Sequence, residues 1–272
     1  QEVEQMNLFK DMVCYQEEVR DPSRMAEVLN RVIEKAFRGS APAQINVPRD
    51  YWTQVIDIEL PPIVRFERQG GGKEAIESAA KLLSKAKFPV ILSGAGVVLG
   101  GAIDECKQLA EKLDAPVCNG YQHNDSFPGS HPLAVGPLGY NGSKAAMELI
   151  SKADVVLALG TRLNPFSTLP GYGIDYWPKK ATIIQVDMNP DRIGLTKKVS
   201  VGICGDAKQV AQQILDKLSS DAGNTGREER KNLIHKTKSA WLQTLSGLDH
   251  EEDDPGTVWN KEARERDKDR MS

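Results

Sequence analysis

Long apolar runs are missing from this 272-residue chain. The longest, Pro89–Leu92 and Val155–Leu159, are strand-sized, whereas a membrane-spanning helix needs about 20 apolar residues, so we expect no membrane partner. Cysteine is also scarce, and the four cysteines form no CxxC pair, which argues against a zinc knuckle or a redox dithiol. No signal-peptide pattern is present either, and together these features predict a cytoplasmic protein.

A large excess of either charge is missing too. The 35 Lys and Arg residues against 38 Asp and Glu residues give a formal net charge of −3, which leaves no positive surplus to hold a polyanion. We therefore expect no nucleic-acid partner. The chain begins with Gln1 rather than Met, and its first residues resemble the interior of a longer protein, so we expect a fragment.

The first 50 residues contain one clear helix. Asp21 and Pro22 are typical of a helix start, and Gly39 is typical of a helix end. Apolar residues recur between them at helical spacing: Met25, Val28, Leu29, Val32, Ile33, Ala36 and Phe37. A short buried strand is predicted over 43–47. Residues 51–72 have no sustained period and are interrupted by prolines and by three successive glycines, which indicates a linker.

Strands and helices alternate through residues 73–220. Each strand is short and apolar, and each connection is long enough for a crossover, which predicts a parallel sheet covered on both faces. The fold class is therefore α/β, a doubly wound, Rossmann-like domain. The five predicted strands are 89–93, 116–119, 154–160, 181–187 and 199–205.

A glycine pair, Gly94 and Gly96, directly follows the first of these strands. In a doubly wound sheet this turn accepts phosphate on helix amides. The nicotinamide fingerprint is not met, because Leu99 stands where the third glycine belongs and the next strand ends in Asn119 rather than in an acidic residue. A tight turn with no ligand is the alternative interpretation.

All five strands end in small, polar or charged residues. Ligands of open α/β sheets bind outside the carboxyl ends of the strands, so these ends favour a nucleotide-shaped groove. Arg162 would suit a phosphate, and Asp187 and Asp206 would suit ribose hydroxyls. The alternative is that both aspartates cap turns or helices.

No residue cluster predicts catalysis or metal binding. His123 and His131 lie near Asp125, but their spacing matches no ligand motif, and a loop contact explains His131 more simply. The last 52 residues, 221–272, include 22 charged residues and few apolar ones. We expect them to form a charged linker, or helices that pack on a neighbour.

The succession of motifs resembles the central domain of thiamine-diphosphate-dependent enzymes of the acetolactate synthase and pyruvate oxidase group. The resemblance covers about residues 20–218. Segments 10–16, 46–55 and 119–129 look most like an acetyl-transferring member of that group. The segments that carry the wider resemblance are 44–50, 89–96, 129–142, 153–162, 184–190 and 205–208.

The resemblance implies a domain plan. Residues 1–50 would be the tail of a pyrimidine-binding domain, 51–72 a linker, 73–220 the middle domain, and 221–272 the approach to a pyrophosphate-binding domain. Enzymes of the group split a carbon bond through the thiazolium ylid of the cofactor, here with small-molecule substrates. They are homodimers or homotetramers. The glutamate that activates the cofactor and the GDG…N segment that holds magnesium would lie outside this chain, so the fragment alone is expected to bind no thiamine diphosphate and to be inactive.

Flavin-containing relatives hold FAD in the groove of the middle domain. Carried over by position, the residues that would line it here are Gly94, Gly96, Gly120, Gly139, Asn141, Arg162, Asp187 and Asp206. Two other functions stay open at this point. One is another member of the group, such as an acetolactate synthase or a decarboxylase; the other is a stand-alone nucleotide-binding module without catalysis.

Overall fold

The computed structural model describes residues 3–62, 67–139 and 142–247. They divide at Arg68 into two compact units: unit 1 holds the described residues up to 67, and unit 2 holds those from 68 onward. Within the described residues, no helix is both long enough and apolar enough to cross a bilayer. Among the described residues, unit 1 has two helices and two strands, and unit 2 has six helices and six strands, apart from short 3-10 turns. In chain order they are α1 (Gln5–Phe9), β1 (Tyr15–Glu18), α2 (Met25–Gly39), β2 (Ala43–Asn46), α3 (Lys73–Lys85), β3 (Pro89–Ser93), α4 (Ala95–Leu99), α5 (Ile103–Leu113), β4 (Val117–Asn119), β5 (Ala134–Pro137), α6 (Lys144–Ile150), β6 (Val155–Leu159), β7 (Thr182–Asp187), β8 (Val201–Cys204), α7 (Ala207–Lys217) and α8 (Arg227–Gly247).

Unit 1 is a single crossover: β1 and β2 pair in parallel and α2 joins them. The helix starts as its sequence predicts, because the Asp21 carboxylate accepts the amide of Ser23 at 2.9 Å. Only part of its apolar stripe is buried. Val28 and Val32 are buried in the small core of unit 1. Phe37, in contrast, is 80% exposed, and Leu29 and Ile33 are exposed as well.

Unit 2 is built on one six-stranded parallel sheet with the order β5-β4-β3-β6-β7-β8. Every residue of β3 and β6 is buried, as expected for central strands covered by helices on both faces. The prediction of a doubly wound parallel sheet is confirmed. The order is the one found in dinucleotide-binding folds, with the reversal between β3 and β6.

The prediction of five strands was wrong by one, because β5 lies in a stretch that looked like loop. This strand has only four residues, and it contains Gly136 and Pro137. Proline cannot donate a ladder hydrogen bond, so in sheets it is restricted to edges, and β5 is the edge strand. In unit 1, β1 was also not predicted.

Residues 227–247 form α8, which packs against α6 in unit 2, so for them the alternative of a helix that packs on a neighbour applies rather than that of a charged linker. The buried residues of α8, Arg230, Ile234 and Thr237, lie on one face. Arg230 is 1% exposed and donates only to main-chain carbonyls, two of them at the carboxyl end of α5. Its acceptors are the carbonyl oxygens of Lys87, Leu113, Asp114, Gly223 and Thr225. The remainder of that segment, 248–272, lies outside the described residues.

Replacement of Arg230 tests this anchor. In the variant Arg230→Met, five carbonyl oxygens lose their donor, and at least two of them end a helix whose dipole favours a cation there. We expect a loss of at least about 3 kcal/mol in the free energy of unfolding, measured by urea denaturation. The control Lys236→Met, on an exposed position of the same helix, should change it by less than about 0.5 kcal/mol. Equal effects of the two substitutions would contradict this role of Arg230.

Candidate functional site at the carboxyl edge of the sheet

The strand order of unit 2 predicts where a ligand would enter. The strands are all parallel, but the order in which the chain adds them reverses between β3 and β6: β4 and β5 lie on one side of β3, and β6, β7 and β8 lie on the other. In open α/β sheets the crevice between the loops that follow two such strands is the usual binding site. The residues that flank it here are Gly94 and Gly96 after β3, and Gly160, Thr161 and Arg162 after β6.

Gly94 and Gly96 lie directly against the loop that follows β6. The amide of Gly96 donates to the carbonyl of Gly160 at 2.8 Å. A Cβ atom at Gly96 would stand 2.6 Å from the Cα of Gly160, and one at Gly94 would stand 2.6 Å from the Cβ of Thr161. These glycines therefore allow the backbones of the loops after β3 and β6 to touch, as the interpretation of a tight turn requires. That a ligand binds at either glycine stays a prediction.

The other side of the crevice is also tied together by main chain. The amide of Gly120, after β4, donates to the carbonyl of Ser93 at 2.7 Å. A side chain at Gly139, after β5, would overlap the carbonyl oxygen of Phe166. Asn141, which was predicted to line the same groove, lies outside the described residues. Gly120 and Gly139 thus lie at the carboxyl edge of the sheet, as expected, and each of them is in close contact with the main chain of a neighbouring segment.

Of the residues predicted to line the groove, Arg162 has the side chain that is least constrained by other described residues. It is exposed just beyond β6, and its guanidinium makes no hydrogen bond or ion pair with any residue that the structure describes. A guanidinium presents a planar fork of donors that matches a phosphate. An unpaired cation at the carboxyl edge of the sheet is therefore able to receive an anion without breaking an internal contact.

Gln185 was not predicted, although it organises this edge. It is 1% exposed in β7, and its Nε2 donates to the carbonyls of Thr161 at 3.2 Å and Arg192 at 3.1 Å. Its Oε1 accepts the amide of Gly194 at 2.8 Å. One buried amide therefore joins the loop after β6, which carries Arg162, to the loop after β7. A glutamine inside an otherwise apolar strand is the signal that could have found it.

The carboxylates of Asp187 and Asp206 accept hydrogen bonds from backbone amides that follow them closely in the chain. The carboxylate of Asp187 accepts the amide of Asn189 at 2.8 Å. The carboxylate of Asp206 accepts the amides of Lys208 at 3.1 Å and Gln209 at 3.2 Å, so it caps α7. The capping alternative is confirmed for Asp206. Whether either aspartate also meets a ribose stays a prediction.

Metal binding finds no support among the described residues, where no three potential ligands lie together. The Nε2 of His131 lies 3.1 Å from the Glu111 carboxylate, and its Nδ1 accepts the amide of Leu133, which is the simple loop contact expected. The segment Gly205–Asp206 does not fit a magnesium site either. Its single carboxylate is already engaged by two amides and by Arg68.

The family model described as "Thiamine pyrophosphate enzyme, central domain" matches residues 76–214, which is the sheet of unit 2 with its flanking helices. The chain belongs to the thiamine pyrophosphate enzymes. The resemblance noted from the sequence is thereby confirmed.

Curated relatives match along the whole chain. A probable sulfoacetaldehyde acetyltransferase of Rhizobium meliloti is 78% identical over 272 residues, which are all of this chain and 46% of that protein. The sulfoacetaldehyde acetyltransferase of Roseovarius nubinhibens is 76% identical, again over all of this chain and 45% of the relative. A probable acetolactate synthase large subunit of Methanocaldococcus jannaschii is 33% identical over 91% of this chain and 41% of that protein. The chain thus spans about half the length of the curated relatives it matches.

A solved structure supports the fold. Benzoylformate decarboxylase from Polynucleobacter necessarius superposes with a TM-score of 0.68 at 21% identity, covering 82% of this chain and 42% of that one. At this identity the likeness concerns the fold alone. It agrees with a doubly wound middle domain in this thiamine pyrophosphate enzyme.

The backbone contact at the crevice gives a stability prediction. In Gly96→Ala the new methyl group would meet the backbone of Gly160, which cannot rotate away, so we expect a loss of about 2 kcal/mol or more in the free energy of unfolding. In the control Gly129→Ala, in an exposed turn, nothing lies within 4 Å and φ is outside the left-handed region, so the change should stay within about 0.5 kcal/mol. Denaturant unfolding of both variants checks this. A Gly96→Ala protein as stable as the control would mean that the two loops are not in contact.

Proposed function

We propose that this chain is the central part of a thiamine-diphosphate-dependent acetyltransferase. The whole enzyme converts sulfoacetaldehyde and phosphate to acetyl phosphate and sulfite. The observation that carries this proposal is the identity of 78% and 76% to relatives with that name, sustained over all 272 residues. The acetolactate synthase relative is only 33% identical, which makes that activity the weaker alternative.

The proposed domain plan places the first 50 residues at the end of a pyrimidine-binding domain. Unit 1 supports this, because a two-stranded parallel sheet with one crossover helix is too small to be stable alone. The exposed stripe Leu29, Ile33 and Phe37 on α2 also needs cover. Residues 51–72 would then be the linker, 73–220 the middle domain, and 221–272 the path to a pyrophosphate-binding domain. By family resemblance, the whole enzyme would be a homodimer or homotetramer.

Catalysis is proposed to lie outside this chain. Thiamine diphosphate is held through magnesium, which prefers carboxylate and carbonyl oxygens. Of the carboxylates at the carboxyl edge, Asp206 is taken by Arg68 and α7, and Asp187 accepts the amide of Asn189. The described residues thus offer no fit for the cofactor, and we assign no catalytic residue and derive no catalytic step here. The middle domain supplies a frame for the domains that do bind it.

An assay of the whole enzyme tests the assignment. With sulfoacetaldehyde, phosphate, thiamine diphosphate and magnesium, we expect sulfite and acetyl phosphate in equal amounts. Omission of phosphate should abolish the formation of acetyl phosphate. Pyruvate as sole substrate is the control for the acetolactate synthase alternative. Release of carbon dioxide from pyruvate, with no sulfite from sulfoacetaldehyde, would overturn the proposal.

A nucleotide in the middle domain is a second proposal, favoured by the unpaired Arg162. Its phosphates would meet Arg162, and its remaining atoms would lie toward Asp187 and the glycines after β3, β4 and β5. Acetyl transfer to phosphate needs no redox group, so ADP is as acceptable as FAD on chemical grounds. Asp206 would contribute least, because Arg68 already holds its carboxylate.

Titration with ADP and FAD tests this groove. We expect saturable binding to the chain, weakened at least about tenfold by Arg162→Gln through loss of one charge-assisted contact. The control is Lys152→Gln, an exposed cation before the amino end of β6, at the opposite edge of the sheet, which should leave the affinity unchanged. No saturation by either nucleotide at millimolar concentration would refute the proposal.

A further inference from the structure

Residues 68–71 lie along the carboxyl edge of β8 and do not behave as linker. The Nη1 of Arg68 donates to the Asp206 carboxylate at 2.9 Å and to the carbonyl of Gly100 at 3.0 Å. Asp206 is 1% exposed, whereas half of the Arg68 side chain is in solvent. A guanidinium from the start of unit 2 thus reaches a buried carboxylate 138 residues later in the chain.

The main chain next to Arg68 is fixed as well. The amide of Asp206 donates to the carbonyl of Gln69 at 2.8 Å, and the Nε2 of Gln213 in α7 donates to the carbonyl of Gly70 at 2.9 Å. Together with the two bonds of Arg68, four hydrogen bonds hold three successive residues. Backbone bonds of this kind are typical of ordered structure.

Close packing explains why glycine is needed at position 71 and at position 205. Gly71 has a φ of +83°, which other residues rarely adopt, and a Cβ atom there would stand 2.6 Å from the Cγ2 of Ile203. A Cβ atom at Gly205 would stand 2.9 Å from both the carbonyl oxygen of Gln69 and the amide nitrogen of Gly71. The glycines that suggested a flexible stretch therefore serve close contact between this segment and β8.

The bond between Arg68 and Asp206 is not required by the cap of α7. The Oδ1 atom of Asp206 accepts both capping amides, of Lys208 and Gln209, while the bond from Arg68 goes to Oδ2. An aspartate caps a helix without a cation beside it. The added ion pair must therefore contribute something other than the helix start.

We propose that Arg68, Gln69, Asp206 and Gln213 form a clasp that fixes the end of the interdomain connection to unit 2. The pivot for any movement of unit 1 then lies before Arg68, and residues 68–72 belong to the rigid body of the middle domain. The connection is thus five residues shorter than the linker 51–72 that the sequence suggests. The clasp is independent of any cofactor or nucleotide.

Nitrogen relaxation of the 272-residue chain tests the clasp without any substitution. We expect order parameters near 0.85 for residues 69–72, as in β8, and clearly lower values in the irregular segment 54–62. Order parameters for 69–72 as low as those of 54–62 would overturn the proposal.

Hydrogen exchange at the Asp206 amide, which donates to Gln69, tests the role of the ion pair. In Arg68→Gln we expect exchange about tenfold faster, and the same in Asp206→Asn, where asparagine keeps the cap but loses the charge. The double variant should exchange no faster than either single one, because both remove one interaction. The control is Lys217→Gln, which removes an exposed cation from the other end of α7, where its ion-pair partner Glu77 is exposed as well. Unchanged exchange in Arg68→Gln, additive effects in the double variant, or an equal effect of the control would each contradict the clasp.

Discussion

The pairing of β3 with β6, continued by backbone contact between the loops that follow them, lies at the centre of the middle domain. The two strands pair along five residues each, and all of these residues are buried. Beyond the strands, Gly96 and Gly160 meet at the point where the strand order reverses, with an amide-to-carbonyl distance of 2.8 Å. The remaining strands and helices are added outward from this pair of strands. A larger residue at either glycine would force apart the two strands on which the others depend.

Related folds bind ligands at this carboxyl edge of the sheet. Here most of the polar side chains at the edge make hydrogen bonds within the protein. Asp206 caps α7 and pairs with Arg68, Gln185 joins two loops, and Asp187 closes a turn. Arg162 stands apart, because it has no partner among the described residues. An anion at Arg162 would therefore break none of the hydrogen bonds that these polar groups make with their own loops.

Much of the fold was predictable because apolar residues in unit 2 follow strand and helix periods closely. The five main strands, the parallel arrangement and the helix start at Asp21 all follow from local pattern and turn chemistry. β5 was missed because a four-residue edge strand with glycine and proline looks like a loop. The sequence left a packed helix and a charged linker open for α8, because the buried face of this helix begins with an arginine. Three of the five carbonyls that receive Arg230, those of Lys87, Leu113 and Asp114, lie more than 100 residues away in the chain. The clasp could not be found from periodicity, because it joins residues that are far apart in the chain. Gln185 stands out as a polar residue among apolar neighbours in its strand, but the pattern does not tell which loops its amide joins.

Calorimetric titration of the 272-residue chain with thiamine diphosphate and magnesium separates a structural middle domain from a catalytic one. If catalysis lies outside this chain, no heat of binding will be seen at cofactor concentrations that saturate the whole enzyme, which should bind one cofactor per chain. Stoichiometric, tight binding to this chain alone would contradict a purely structural role for its carboxyl edge.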